Sequence, residues 1–264
     1  MNKDLLFALI QNPNLIPGIY NYCDGWCERC KFNANCLNFK MMEEGVPDLK
    51  STEHDTEAEA SFAMENLDEM FQLSMELLNQ AAKDLGMELP QQSENFDAEE
   101  EEEKDELIFK GQLMLQADKY SELVDAWFSD FESLLYVGSH SLKEIFDFKE
   151  EEEMNDVELL VFDKSEIIRW FQFIIPSKLF RALRSKANTE ETGNDFYAHD
   201  SIASAKVALI SIDNSIDAWT SYMHQFPGAE DRMLPILLLL SGLRTLVEEI
   251  FPEARDFVRP GFDI

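Results

Sequence analysis

All four cysteines of this chain, Cys23, Cys27, Cys30 and Cys36, fall within fourteen residues in the order C-x3-C-x2-C-x5-C. Thiolates are soft ligands, and the short turns between these four can carry their sulfurs to a common side. A tetrahedral zinc takes four such donors, and a [4Fe–4S] cluster takes one for each iron. Two disulfides are the other use of four cysteines, and a reducing compartment disfavours them. Zinc sites commonly pair two C-x2-C knuckles across a longer stretch. Here one C-x2-C is followed by a single further cysteine, which makes a compact wrap. Trp26 and Phe32 stand between the ligands, where they can shield a centre and anchor it.

No other constellation is as specific. A ferritin-like carboxylate site needs Glu-x2-His on facing helices, and the residues three before His54, His140, His199 and His224 are Ser51, Val137, Phe196 and Ser221. Glu122, Glu166, Asp200 and Asp213 lie amid apolar helical sequence, and most such acids face solvent. His140 and Glu144 share a helical face, a pair without further ligands. The chain has no Gly-rich phosphate loop, no G-x-S-x-G elbow and no H-E-x-x-H. Gly138-Ser139-His140-Ser141 lacks the second glycine and a preceding strand. One basic ridge stands out: Lys178, Arg181 and Arg184, with Lys186 beyond, recur along one helix with no acid among them. It suits a helix C-terminus, a pocket for an anion, or an internal dock for the acidic residues at 97–106.

The elements that must position these groups read as helices. Ala60, Ala63, Leu67, Met70, Ser74, Leu77, Ala81 and Leu85 recur at three- and four-residue spacing, and Gly86 and Pro90 stop that run. A second stripe runs from Leu107 through Gly111, Met114, Ala117, Val124, Phe128 and Phe131 to Leu135, with Gly138 beyond. A third helix is expected over 155–186, kinked at Pro176. The fourth, over 194–225, carries Ala203, Ser204, Ala205, Ala208, Ser211 and Ser215, small residues that suit a central position. Pro227-Gly228 ends it. The fifth, over 230–251, is apolar nearly all round from Met233 to Leu240 and is expected to be buried. The fold class is all-α: a bundle of about five long helices over 51–264, behind an irregular cysteine-rich segment over 1–50.

Composition agrees. Gly is scarce, 10 in 264 residues, which favours long helices over the many turns of a sheet protein. The net charge of −31 sets the chain against phosphate backbones and anionic membranes, so neither nucleic acid nor membrane is an expected partner. Ser51 to Lys110 alone holds nineteen acids against three bases, more than half of that net charge. Two acidic tracts, Asp97 with Glu99–Glu103 and Glu150–Glu153, are read as a solvated loop and helix-start acids, or as a docking surface for a basic protein. The apolar patch at Leu5–Ile10 is cut short by Gln11, Asn12 and Pro13, and no small-residue cleavage site follows it, so a cytoplasmic location is expected.

Two resemblances add to this. Cys27-Glu-Arg-Cys-Lys-Phe-Asn-Ala-Asn-Cys36, a C-x2-C-x-aromatic-x3-C run, looks like the iron–sulfur segment of certain RecB-like exonucleases, CRISPR-associated ones included. The α/β nuclease core of those enzymes has no counterpart in this pattern, so the resemblance implies cluster binding alone. It favours [4Fe–4S], with zinc as the alternative. The C-x3-C-x2-C start also resembles the motif of radical S-adenosylmethionine enzymes, but Arg29 stands where those carry an aromatic, and no β/α-barrel pattern accompanies it. Over most of its length the chain resembles a family of uncharacterised bacterial all-helical proteins, through Ile16-Pro-Gly-Ile-Tyr-Asn-Tyr-Cys-Asp-Gly-Trp-Cys27, Ser204-Ala-Lys-Val-Ala-Leu-Ile-Ser-Ile-Asp213 and Phe257-Val-Arg-Pro-Gly-Phe-Asp263. That likeness implies a shared helical design with an N-terminal cysteine cluster. The expected function is a redox-sensing or interaction module built on the metal; the alternative is a helical enzyme with its active site between helices and the centre structural or electron-transferring.

Overall fold

The structure, a computed structural model, describes residue 9 and residues 11–43, 98–132, 134–148 and 151–263. The expected first helix with its stops at Gly86 and Pro90, His54, Asp97 and a boundary at 50/51 lie outside the described residues. Of those described, the residues up to 43 form one compact unit with Pro260–Phe262; Ala98–Arg259 and Asp263 form a second.

The first unit is built from turns. Short 3-10 turns cover Ile19–Tyr22, Cys27–Arg29 and Asn33–Asn35, and one helix, α1 (Leu37–Glu43), follows. Asn35 ties the turns together, because its carbonyl accepts the Ile16 N–H at 2.9 Å and its side chain donates to the Asn14 carbonyl at 2.8 Å.

The second unit is all-α: α2 (Ala98–Phe109), α3 (Gln112–Phe131), α4 (Leu142–Phe148), α5 (Asp156–Thr192), α6 (Asp195–Gln225) and α7 (Glu230–Ile250). Between α3 and α4 lies a two-residue antiparallel pair, β1 (Tyr136–Val137) and β2 (His140–Ser141). Helices α3, α5, α6 and α7 make a four-sided bundle in which α5 and α7 each pack against both α3 and α6. No helix among the described residues is long and apolar enough to cross a membrane.

The small residues of α6 do what their size allows. Ala203, Ser204, Ala205, Ala208, Ser211 and Ser215 are all buried, so α5 can lie close along α6. Asn155 caps α5 by accepting the Val157 and Glu158 amides at 3.0 and 3.1 Å, and Glu158 returns an oxygen to the Asn155 N–H at 3.0 Å. This reciprocal capping box satisfies donors that a helix start leaves unpaired. Helix α5 runs on through Pro176. Proline has no N–H for the carbonyl four residues back, and Gln172 O instead accepts the Ser121 hydroxyl of α3 at 2.6 Å.

Two expectations need correcting. The stripe from Leu107 to Leu135 is not one helix: the chain breaks at Lys110-Gly111, where a Cβ on Gly111 would come within 3.0 Å of the Ile108 carbonyl oxygen. Helix α7 is not buried all round. Met233, Ile236, Leu240, Leu243 and Val247 face inward, whereas Leu234 and Leu238 are 48% and 65% exposed. Among the described residues α7 packs through the face that meets α3 and α6, so part of its apolar run, Leu234 and Leu238, stays in water.

Candidate functional site

The three 3-10 turns place the cysteines. Cys23 follows the first turn, Cys27 opens the second, Cys30 closes it, and Cys36 closes the third and leads into α1. Backbone bonds hold the pattern: Cys30 N–H to Cys27 O at 3.2 Å, Asn33 N–H to Cys30 O at 3.3 Å and Cys36 N–H to Asn33 O at 3.1 Å. Asp24 turns the chain between the first two cysteines by accepting the Trp26 N–H at 3.1 Å. All four cysteines then line one cavity, with Ile19, Trp26, Phe32, Phe39 and Phe262 among its walls. Trp26 and Phe32 thus stand beside the sulfurs. The Arg29 guanidinium covers the Trp26 face at 4.1 Å, a cation–π contact.

None of the four cysteines is in a disulfide among the described residues. Cys23 donates its proton to the Tyr20 carbonyl at 3.3 Å, and Cys30 accepts the Phe32 N–H at 3.4 Å. Burial pushes the Cys27 thiol up, and like charge on Cys23, Cys36, Glu28 and Cys30 pushes it the same way. Bare sulfurs this near oppose one another's ionisation, and a bound cation reverses that sign. Sharing a cavity is not yet coordination. Among the described residues, no group of three or more His, Cys, Asp or Glu stands in an arrangement that could hold a metal ion. The donor set is right for a thiolate centre in type and number; the sulfurs have not drawn together onto one point.

The other candidate groups find partners within the chain. Arg181 meets Asp200 through two bonds, at 3.0 and 2.5 Å, and the Ser185 hydroxyl donates to the same carboxylate at 2.7 Å. Burial pushes the Asp200 carboxyl up, but the bonds from Arg181 and Ser185 outweigh it and hold the group below its ordinary value. Lys178 adds favourable charge to that carboxylate. Arg184 pairs with Glu101 and Asp105, and Lys104 bridges to Glu191 at 2.9 Å. The ridge Lys178, Arg181, Arg184 therefore meets acid from the chain itself, part of it from the 97–106 tract. From residue 98 that tract lies in helix α2, and Phe109 at the helix end stacks on Phe180 at 4.7 Å. Replacing Arg184 by alanine is expected to cost about 1 kcal/mol. Hydrogen exchange should quicken over 98–109 first, and added salt should shrink the difference between variant and parent; equal exchange in the two would remove Arg184 as the dock.

Among the acids singled out, Glu122 pairs with Lys119 at 2.9 Å and Asp213 with Arg255 at 2.5 Å, while Glu166 is half-buried. His140 meets Glu158 at 3.1 Å, and Glu144 caps Ser141 N–H at 2.7 Å. Glu158 was not legible as special. It is 1% exposed, yet as an acid in the first turn of a helix it reads as solvated. Phe262 was also missed, although Arg259-Pro-Gly-Phe-Asp263 carries a signal: a Pro-Gly turn bracketed by opposite charges. Arg259 grips Asp263 through Nε and Nη2 at 3.0 and 2.8 Å, and its own N–H donates to the same carboxylate at 2.9 Å. The Arg259 side chain holds the Asp263 carboxyl down at about 2. The stabilisation from this clasp is therefore complete above the ordinary carboxylate value of 3.8 and is lost as pH falls through about 2. An NMR titration that put Asp263 at its ordinary value would remove the clasp. Comparison with protein-family models, with curated proteins and with solved structures finds no match to this chain, so the resemblances noted above rest on their own residues.

Proposed function

We propose that this chain is a metal-binding helical protein whose Cys23, Cys27, Cys30 and Cys36 hold a [4Fe–4S] cluster, with zinc as the alternative, and that it works as a redox-sensing or interaction module in a reducing cytoplasm. The observation that supports this most is that the only four cysteines of the chain line one cavity walled by aromatic and aliphatic side chains. Four thiolates supply a full ligand set for either centre. A metal would also tie together a segment made mostly of turns, with little periodic apolar sequence to hold itself. The iron–sulfur reading takes added support from the C-x2-C-x-aromatic-x3-C run over 27–36. Glu102, Glu103 and Glu106 of α2 are exposed and offer a basic protein partner an acidic face.

Anaerobic purification followed by an absorption spectrum and metal analysis tests the reading. A broad visible band with about four irons per chain supports the cluster. A colourless protein with about one zinc supports the structural alternative. Protein with neither metal, and four thiols freely titratable, overturns both.

A further inference from the structure

Among the described residues, the wall of the cysteine cavity is local in sequence except for Phe262. Ile19, Trp26, Phe32 and Phe39 come from the same short stretch as the cysteines, whereas Phe262 comes from the Arg259-Pro-Gly-Phe-Asp263 loop far downstream. Phe262 meets the Phe32 ring edge-on, with centroids 5.1 Å apart and planes at 81°. Phe32 lies between Cys30 and Cys36 in the chain, and its N–H donates to the Cys30 sulfur at 3.4 Å. Phe262 thus lines the cavity beside the ring whose backbone N–H meets the Cys30 sulfur.

The loop is built to present that ring. Its ends are tied by the Arg259–Asp263 clasp and by the Asp263 N–H, which donates to the Arg259 carbonyl at 3.1 Å. Gly261 has φ +81, which L side chains avoid, and a Cβ there would come within 3.0 Å of Ile16 and 3.2 Å of Ile19. Ile19 is 1% exposed and itself lines the cavity. Pro260–Phe262 are part of the first unit: Gly261 packs closely on Ile16 and Ile19, Phe262 carries the aromatic, and Arg259 and Asp263 close the segment on itself. Among the described residues, the contacts of Gly261 and Phe262 with the cysteine segment include packing on Ile16, Ile19 and Phe32.

We propose that the 259–263 loop is a cap on the cysteine cavity and that Phe262 controls access of solvent, chelators and oxidants to the four sulfurs. The part of this that concerns a metal rests on the reading of the site as a metal centre; the part that concerns the sulfurs does not. A closed cap makes the centre slow to exchange, and release of the loop exposes it without breaking the turns that carry the cysteines. Anything that binds the loop, or competes for Arg259 or Asp263, would then act on the centre through its exposure.

The test compares the full-length parent protein with Phe262→Ala, Phe262→Leu and Arg259→Ala in two assays. In metal-free, reduced protein, the rate at which a disulfide reagent titrates the cysteines is followed. Phe262→Ala should raise that rate about tenfold, because one lost aromatic edge contact shifts a local opening equilibrium by roughly that factor. Phe262→Leu should recover most of the protection, and Arg259→Ala should fall between. In metal-loaded protein, the same order should appear in the rate of metal loss to a chelator, with the initial metal content per chain unchanged. Rates for Phe262→Ala within twofold of the parent in both assays would overturn the cap, as would equal rates for Arg259→Ala and Phe262→Leu. A parent that takes up no metal refutes the metal reading, while the thiol assay still decides the cap. Should Phe262→Ala fail to fold, the leucine and Arg259 variants carry the same comparison.

Discussion

If Cys23, Cys27, Cys30 and Cys36 hold a metal as proposed, replacing Cys36 by alanine should abolish its binding. Cys36 is the most buried of the four cysteines and sits where the third turn passes into α1, so its sulfur is the one that solvent can least replace. A structural zinc in a small domain supplies about 10–16 kcal/mol of apparent binding energy. Removing one of four ligands forfeits enough of this that metal content should fall from one centre per chain to near zero at ordinary free-metal levels. The same loss is expected at Cys23, Cys27 and Cys30, because a four-thiolate centre has no spare donor. The consequence should stay local. Protease sensitivity should rise over residues 15–40, while the melting of the helical unit, whose core uses none of these residues, should move little. Full metal retention in the Cys36 variant would mean that the centre does not use all four sulfurs.

Much of the fold, and the cavity the cysteines share, was legible in the sequence because the signals are local. The cysteine spacing confines the site to fourteen residues, and turns that short leave few arrangements other than a shared cavity. The helices of the second unit announce themselves by spacing and stops: Pro227-Gly228 ends α6, and the small residues of α6 mark the face that packs closely. What was not legible depends on tertiary closure. The apolar period runs unbroken through Gly111, so nothing in the pattern shows the joint between α2 and α3. Leu234 and Leu238 read as core because periodicity counts apolar residues, not neighbours, and among the described residues α7 meets α3 and α6 through its other face. Glu158 is buried because His140 and Asn155, from outside its helix, bring it partners. Phe262 joins the cysteine cavity from the opposite end of the sequence, a contact that no spacing rule encodes. The acidic tract shows the intermediate case. Its charge was plain, and so was the basic ridge, but that Arg184 receives Glu101 and Asp105 required the fold.

Trp219→Ala should be the most destabilising single change in the helical unit. Trp219 is fully buried on α6 and meets Trp127 edge-on at 5.2 Å and Tyr222 at 6.0 Å, so the three rings lock α3 to α6. Its indole N–H donates to the Tyr120 hydroxyl at 3.3 Å, and burial pushes the Tyr120 hydroxyl up to about 12. Truncation removes the apolar transfer energy, the edge contacts and the hydrogen bond together, and it leaves a cavity in the core of the bundle. Buried Trp→Ala changes cost about 3–5 kcal/mol. For a unit of this size, that corresponds to a fall of roughly 10 °C in Tm. Trp219→Phe separates the parts: it keeps a ring in the slot and removes the N–H, so it should cost about 1 kcal/mol for the hydrogen bond plus a smaller amount for lost volume. Thermal and urea melts of the two variants measure the difference. A Trp219→Ala protein that melts within 2–3 °C of the parent, when a loss of roughly 10 °C is expected, would mean that the α3–α6 contact does not carry the bundle. The sulfur cavity belongs to the other unit, so metal content in this variant should match the parent at temperatures below its melt.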